Sequence, residues 1–486
     1  MSLAYPWTLW FVAIVLVFAC TCVSCTPRRP LPPGPRGIPI LGHALWRRLP
    51  LEKPWETFDL WRKRYGDVVY LRVLNRSMLI LSSLEAAIEL EEKRAPLYSD
   101  RPRRVMAELS GYGAVTTFRV SYDGAVRTAK RHMHAGFNKL ASCNYEATQE
   151  HASRRLCQML RESPADFADH LREVTISVMR SIIYGSEEAH STNRVAQDEL
   201  YKDVLAQFTK MASPSQYLVD AFPFFSPYFA VKERVTTGVS SPCFLENIIS
   251  TQDLTREEEE AIQYAAGSAF GAGYETTVAS LSVFFMAMVL NPSTQLRAQE
   301  EIDRVLDKDS LPSFSDRASL PFVECIISEV LRWRPPVPFA WRCVRAEDHY
   351  RGYTIPAGTL VTVNVRGLTH DNERYPDPDE FKPERFLDCN GQYTTTTVPD
   401  PRRFLFGFGR RSCPGMHVAD NFLYIVIATV LAAFTVSPAE DAAGNSILPD
   451  PDYSSGLGGI CQPPPFPCRI TPRVRKGSEE GSEVRF

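Results

Sequence analysis

The stretch FGFGRRSCPG, residues 406–415, sets Cys413 among glycines, two arginines and a proline. Phe406, Gly409, Arg411, Cys413 and Gly415 stand in the spacing Phe-x-x-Gly-x-Arg-x-Cys-x-Gly. A thiolate ligand needs its charge stabilised, and glycines let a chain turn so that backbone N–H groups point at one sulfur. Pro414 and an apolar helix read at about 415–434 put Cys413 near a helix N-terminus, which lowers a thiol pKa. Arg411 can grip a carboxylate with a forked contact. A lone cysteine here would read as a buried thiol beside a surface arginine pair. Five residues in fixed spacing read as a metal-ligating loop.

The rest of the chain frames that loop. Its 486 residues are 44% hydrophobic and 23% charged, an ordinary globular composition. A net charge of -3 gives no basic excess, so nucleic acid is not an expected partner. The 12 cysteines include no second C-x-x-C to complete a zinc site with Cys22 and Cys25, and in a chain of this size they read as thiols of a reduced compartment rather than a disulfide scaffold. Residues 1–27 carry no charge, and WTLWFVAIVLVFACTCVSC (7–25) is long enough to span a bilayer, with Trp7 and Trp10 suited to its interface. Arg28 and Arg29 follow, which puts the remainder on the cytosolic side. A cleaved signal peptide would want a basic start, and none is present. The expected organisation is a membrane anchor (1–27), a stiff proline-rich linker (28–39), one body (40–472) and a polar tail (473–486).

Within the body the reading is mainly α with minor β. A helix is expected over 54–66, then paired strands at 68–74 and 78–83, then mostly helix from 122 to 211. Thr255 and Glu258 form a Thr-x-x-Glu capping box, and no proline interrupts before Leu290. A helix over 255–290 would be roughly 54 Å long, enough to cross a whole domain. Helices are expected at 293–306 and about 320–333, and paired strands within 350–365. An irregular stretch, 371–412, leads into the cysteine loop.

Two further constellations stand out. AGYETT (272–277) interrupts the long helix with Gly273, which costs about 1 kcal/mol against alanine. Such a glycine opens the backbone to a ligand, or lets another helix pack close. Glu275 can feed protons, and the Thr276 hydroxyl can face a ligand or bond back to its own helix. Glu329 and Arg332 share a helix face, a pairing that is common and weak when exposed. Arg385, in PERF (383–386), adds a third member.

Together these residues resemble the cytochrome P-450 family, over essentially the whole chain, and most closely the membrane-bound members of basidiomycete fungi. The resemblance implies a triangular helical body with small sheets, and haem b between the long helix and the cysteine loop. Cys413 would be the axial ligand of the haem iron, with Phe406 shielding the sulfur and Gly409 allowing the bulge. A cysteine thiolate pushes electron density to iron and favours O–O cleavage. Arg411, Arg342 and Lys130 would meet the haem propionates, with Arg345 the runner-up to Arg342. Ala272 and Gly273 would border the haem, and Glu275 and Thr276 would serve oxygen activation. Glu329, Arg332 and Arg385 would close a structural cluster behind the cysteine loop. The implied activity is insertion of one atom of O2 into an apolar small molecule, in secondary metabolism, at the endoplasmic reticulum membrane. No Gly-x-Gly-x-x-Gly follows a strand, so electrons from NADPH would come through a separate reductase.

The chain departs from the family pattern twice. Val126 and Lys130 stand where a tryptophan and an arginine normally donate to propionates; Lys130 keeps the charge and loses the fork. Arg131, His132 or His134 would be the residues to compensate. The chain is also short between 222 and 235, where a lid is expected, either naturally or through a mis-spliced gene model. Two rival readings therefore stay open: a haem-thiolate isomerase or dehydratase, and a non-catalytic haem-binding protein.

Overall fold

The computed structural model describes residues 30–35, 53–73, 76–103, 120–185, 243–249, 254–307, 310–451 and 460–473. The expected anchor, the 222–235 region and the tail beyond 473 lie outside the described residues. In chain order the principal elements are α1 (Pro54–Tyr65), β1 (Val68–Val73), β2 (Arg76–Leu81), α2 (Gly124–Phe137), α3 (Glu146–Glu162), α4 (Phe167–Tyr184) and α5 (Arg256–Leu290). Then follow α6 (Pro292–Val305), α7 (Pro321–Trp333), β3 (Arg342–Cys343), β4 (Asp348–Tyr350), β5 (Tyr353–Ile355), β6 (Leu360–Val363), α8 (Met416–Ala433), β7 (Phe434–Glu440), β8 (Ser446–Ile447) and β9 (Cys468–Pro472).

Helix α5 is the spine. Thr255 accepts a hydrogen bond from Glu258 N–H and Glu258 reaches back to the Thr255 backbone, completing the capping box. Glu257, Glu258 and Glu259 favour the positive end of the helix dipole. The helix packs on α2, α4, α7 and α8. Its second half, from Thr277 to Val289, is buried on nearly every face except at Ser282. Helix α8 is likewise buried from Phe422 to Ala433. A helix apolar all round belongs in a core or a membrane. Both are long and apolar enough to cross a membrane, yet their apolar windows are 67% and 72% buried within the fold.

Strands β1 and β2 pair antiparallel, Val68 opposite Leu81, as the alternation suggests. The sheet is larger than that hairpin, in the order β1-β2-β6-β3, with β6 parallel to β2 and antiparallel to β3. The expected pairing within 350–365 is corrected. β5 pairs with β4, through the tight turn at Arg351 and Gly352, whereas β6 joins the large sheet. Gly358, at φ +76, reverses the chain between β5 and β6. Residues 30–35 of the linker lie along the body: Tyr70 N–H donates to Pro33 O at 2.9 Å and Thr354 N–H to Pro30 O at 2.7 Å. A Cβ on Gly34 would stand 1.8 Å from Tyr70 O, so only glycine allows this approach.

Candidate functional site

A cavity of about 360 Å³ is lined by both α5 and the cysteine loop. The loop and the start of α8 contribute Phe406, Cys413, Gly415, Val418 and Phe422; α5 contributes Ser268, Ala272, Gly273, Thr276 and Thr277. Four cations also line it: Arg101, Lys130, Arg342 and Arg411. One carboxylate, Glu91, lies with them.

The loop closes through Cys413 N–H, which donates to Phe406 O at 2.7 Å. Gly407 and Gly409 take φ of +74° and +56°, a region that side chains rarely enter. At Gly409 a Cβ would also stand 2.0 Å from Glu91 O, so the loop rests directly on the π-helical turn Ile88–Lys93. Gly415 turns out differently: its φ is −90° and a Cβ there meets nothing within 4 Å. Its contribution is the backbone N–H bonded to the Cys413 sulfur. That bond and the Lys130 charge pull the thiol pKa down, but burial outweighs them and the net shift is upward. The expected lowering by a helix N-terminus is therefore overcome by desolvation. A metal at the sulfur removes the proton outright. The Cys413 side chain faces the cavity and is otherwise enclosed by protein.

The cations differ in how they are held. Arg411 Nε donates to Ser99 O at 2.9 Å and the guanidinium lies 5.2 Å from the Tyr122 ring. Burial, then repulsion from Arg342, brings its pKa down to about 10. Arg342 is 2% exposed, with Nε 3.7 Å from Glu91 Oε2. Arg345 is paired with Asp100 at 2.6 Å and is absent from the cavity lining. Lys130 Nζ donates to Ser412 O, next to the cysteine. Burial lowers Lys130 to about 8, partly offset by Cys413 and reinforced by Arg411, Arg342 and Arg101. Val126 is buried away from the cavity, and Arg131, His132 and His134 do not line it either. Arg101 and Glu91 were not singled out in the sequence. Arg101 had a signal, an arginine before a proline in DRPRR (100–104); Glu91 had none, because IELEEK (88–93) reads as a solvated acidic face.

On α5 the Thr276 hydroxyl donates to Ala272 O at 2.8 Å, the back-bonded arrangement. Its oxygen keeps lone pairs to offer the cavity. Gly273 serves packing as well as lining: a Cβ there would stand 2.2 Å from Met179 Cε on α4. Glu275 does not line the cavity, and burial raises its carboxyl to about 7.

On α7, Glu329 accepts from Arg332 at 2.7 and 2.8 Å and from Arg385 Nε at 3.2 Å. Arg332 Nη1 also donates to Thr369 O and Pro378 O, and Lys382 N–H to Glu329 Oε1. Glu329 and Arg332 are fully buried, so this is not the weak exposed pair. A second network adjoins it, in which Arg402 bridges Glu324 and Asp420, both at 2.6 Å.

The residues present fit a haem. Aromatic and aliphatic walls suit a porphyrin, clustered cations suit its carboxylates, and a thiol stands among them. A family model described as Cytochrome P450 matches residues 32–241 and 242–465. Cytochrome P450 monooxygenase claR of Ampulloclitocybe clavipes is 36% identical over 487 residues, covering 93% of this chain and 88% of that protein. Cytochrome P450 monooxygenase 58 of Postia placenta is 33% identical over 492 residues, covering 95% and 93%. A zebra fish cytochrome P450, in a structure with abiraterone, superposes with a TM-score of 0.71 at 23% identity, over 86% of this chain and 99% of that one. That likeness bears on the fold.

Proposed function

The chain belongs to the cytochrome P450 family of haem-thiolate monooxygenases, and from that premise we propose a specific reading. It is a single-pass enzyme of the endoplasmic reticulum membrane that binds haem b and takes two electrons from NADPH through a separate reductase. It inserts one atom of O2 into an apolar small molecule of secondary metabolism, and the other atom leaves as water with two protons. The observation that carries this is the single cavity shared by Cys413, the Ala272–Thr276 segment and a cluster of cations.

Haem, when bound, supplies the activation of dioxygen and its transfer to substrate. The chain supplies the rest. Cys413 ligates the iron, with its charge stabilised by the Gly415 N–H and Lys130. Arg411, Arg342, Lys130 and Arg101 hold the cofactor's carboxylates. Ala272 and Gly273 border the cofactor, and Phe406 covers the sulfur. Thr276 Oγ1, anchored on Ala272 O, orients its lone pairs into the cavity. Glu275, with its carboxyl near neutrality, is suited to gain and release protons at physiological pH. The Glu329–Arg332–Arg385 cluster ties α7 to the 369–385 stretch, and through the chain that follows it steadies the approach to the cysteine loop.

The test is turnover of the full-length chain in membranes with a fungal NADPH reductase and a panel of terpenoid, fatty-acid and aromatic substrates under labelled O2. The reading expects NADPH-dependent products carrying one labelled oxygen. Products formed without NADPH or O2 would favour the isomerase or dehydratase reading instead.

A further inference from the structure

Glu91 has no part in the function proposed above, yet it is the one carboxylate among the described residues lining the cavity. It is 3% exposed. Its Oε1 has no hydrogen-bond partner among the described residues, and Oε2 reaches Arg342 Nε only at 3.7 Å. A buried carboxylate without hydrogen bonds is costly, so such a group calls for an explanation. The backbone explains how it comes to face inward. Ile88–Lys93 is a π-helical turn, and such turns recur at functional sites. The cysteine loop lies against this turn at Gly409.

The groups around Glu91 are nearly all cationic. Arg342 faces it from β3 and Arg101 from the segment before 104; both lower its pKa, while burial raises it further, to about 7. Lys130 and Arg411 line the same cavity from α2 and the cysteine loop. On the short helices that adjoin its turn, Tyr98 donates to Asp348 and Glu85 pairs with Arg351. Two carboxylates of an arriving cofactor would meet the same Arg342 and Arg101 that Glu91 now faces.

We infer that Glu91 is an internal competitor for the cofactor's carboxylates, holding Arg342 in the haem-free chain and taking up a proton from solvent when haem binds. This rests on the haem reading above. The ionised carboxylate opposes haem retention; the protonated one does not, and it can then donate a hydrogen bond.

The experiment is equilibrium partitioning of haemin between full-length chain and apomyoglobin, at pH 6 and pH 8, for wild type and Glu91→Gln. Cys413 gives up its proton on ligation in both proteins, so that contribution cancels in their ratio. If the haem-bound form requires protonated Glu91, the wild-type affinity relative to Glu91→Gln falls about tenfold from pH 6 to pH 8. The two should be nearly equal at pH 6. Glu91→Leu, lacking any polar atom, gives the same ratio should the Gln variant misfold. A ratio constant with pH, or weaker haemin binding by the variants at pH 8, overturns the inference while leaving the haem reading intact. Failure of wild type to bind haemin at either pH overturns the haem reading itself.

Discussion

Lys130 offers a quantitative test of how the cavity is built. Its ammonium is buried beside three arginines, and its pKa falls from 10.5 to about 8. The folded state therefore binds fewer protons than the unfolded state between pH 8 and 10.5. Stability rises with pH across that window. Below about pH 8 the full cost of keeping the charge buried is present; above 10.5 it has gone. At 1.36 kcal/mol per unit, the shift corresponds to about 3 kcal/mol, an upper figure because the head group keeps some solvent contact. Lys130→Met should thus stabilise the haem-free chain at pH 7 by about 1–3 kcal/mol, and weaken haemin binding by removing a carboxylate partner. The assay is urea unfolding of haem-free protein at pH 7, 8.5 and 10, with haemin titration in parallel. The advantage of the variant should shrink as pH rises. A variant no more stable than wild type at pH 7, or an advantage that persists unchanged at pH 10, would refute the reasoning.

Other perturbations read out neighbouring parts of the site. Arg411→Ala should cost more than tenfold in haemin affinity, and Arg345→Ala much less, because Arg345 is committed to Asp100 outside the cavity. Equal losses in the two titrations would count against this assignment. Gly409→Ala combines a φ of +56° with a 2.0 Å approach to Glu91 O, so it should destabilise the loop by about 2 kcal/mol or more in thermal unfolding. Glu329→Gln leaves Arg332 buried with one fewer charge to face, and should destabilise by about 3–5 kcal/mol; a loss under 1 kcal/mol would mean the cluster is solvated. Lys130→Arg restores a forked donor at the cavity wall and should raise haem occupancy on expression; no gain would show that Lys130 already serves as well as the fork.

The parts of this molecule that were legible in sequence are those set by local chemistry. Thr255 and Glu258 announce the start of α5 because a capping box is a four-residue device. The cysteine loop is legible because its glycines, arginine and cysteine must stand at fixed offsets. Glu329 and Arg332 are one helical turn apart, and Arg385 lies within a recognisable PERF turn. What was not legible depends on long-range placement. The pairing of β6 with β2 joins residues nearly 300 positions apart, and nothing in GTLVTVNV distinguishes it from a hairpin partner of β5. Arg342 and Arg345 are three residues apart, and only the course of β3 decides which enters the cavity. Gly273 carried two readings; the structure shows the close packing, since Met179 stands where a side chain would be, and places Gly273 on the cavity wall. Glu91 was hidden because a π-helical turn changes which face an acidic run presents.

The central claim is that Cys413 is an iron-ligating thiolate in a haem cavity. The most direct measurement is the carbon monoxide difference spectrum of the dithionite-reduced, haem-loaded chain, recorded for wild type and Cys413→Ser. The account predicts the strongly red-shifted Soret band of a thiolate-ligated haem in wild type, and its loss in the variant. A wild-type spectrum that lacks this band, or one that Cys413→Ser leaves unchanged, would contradict it.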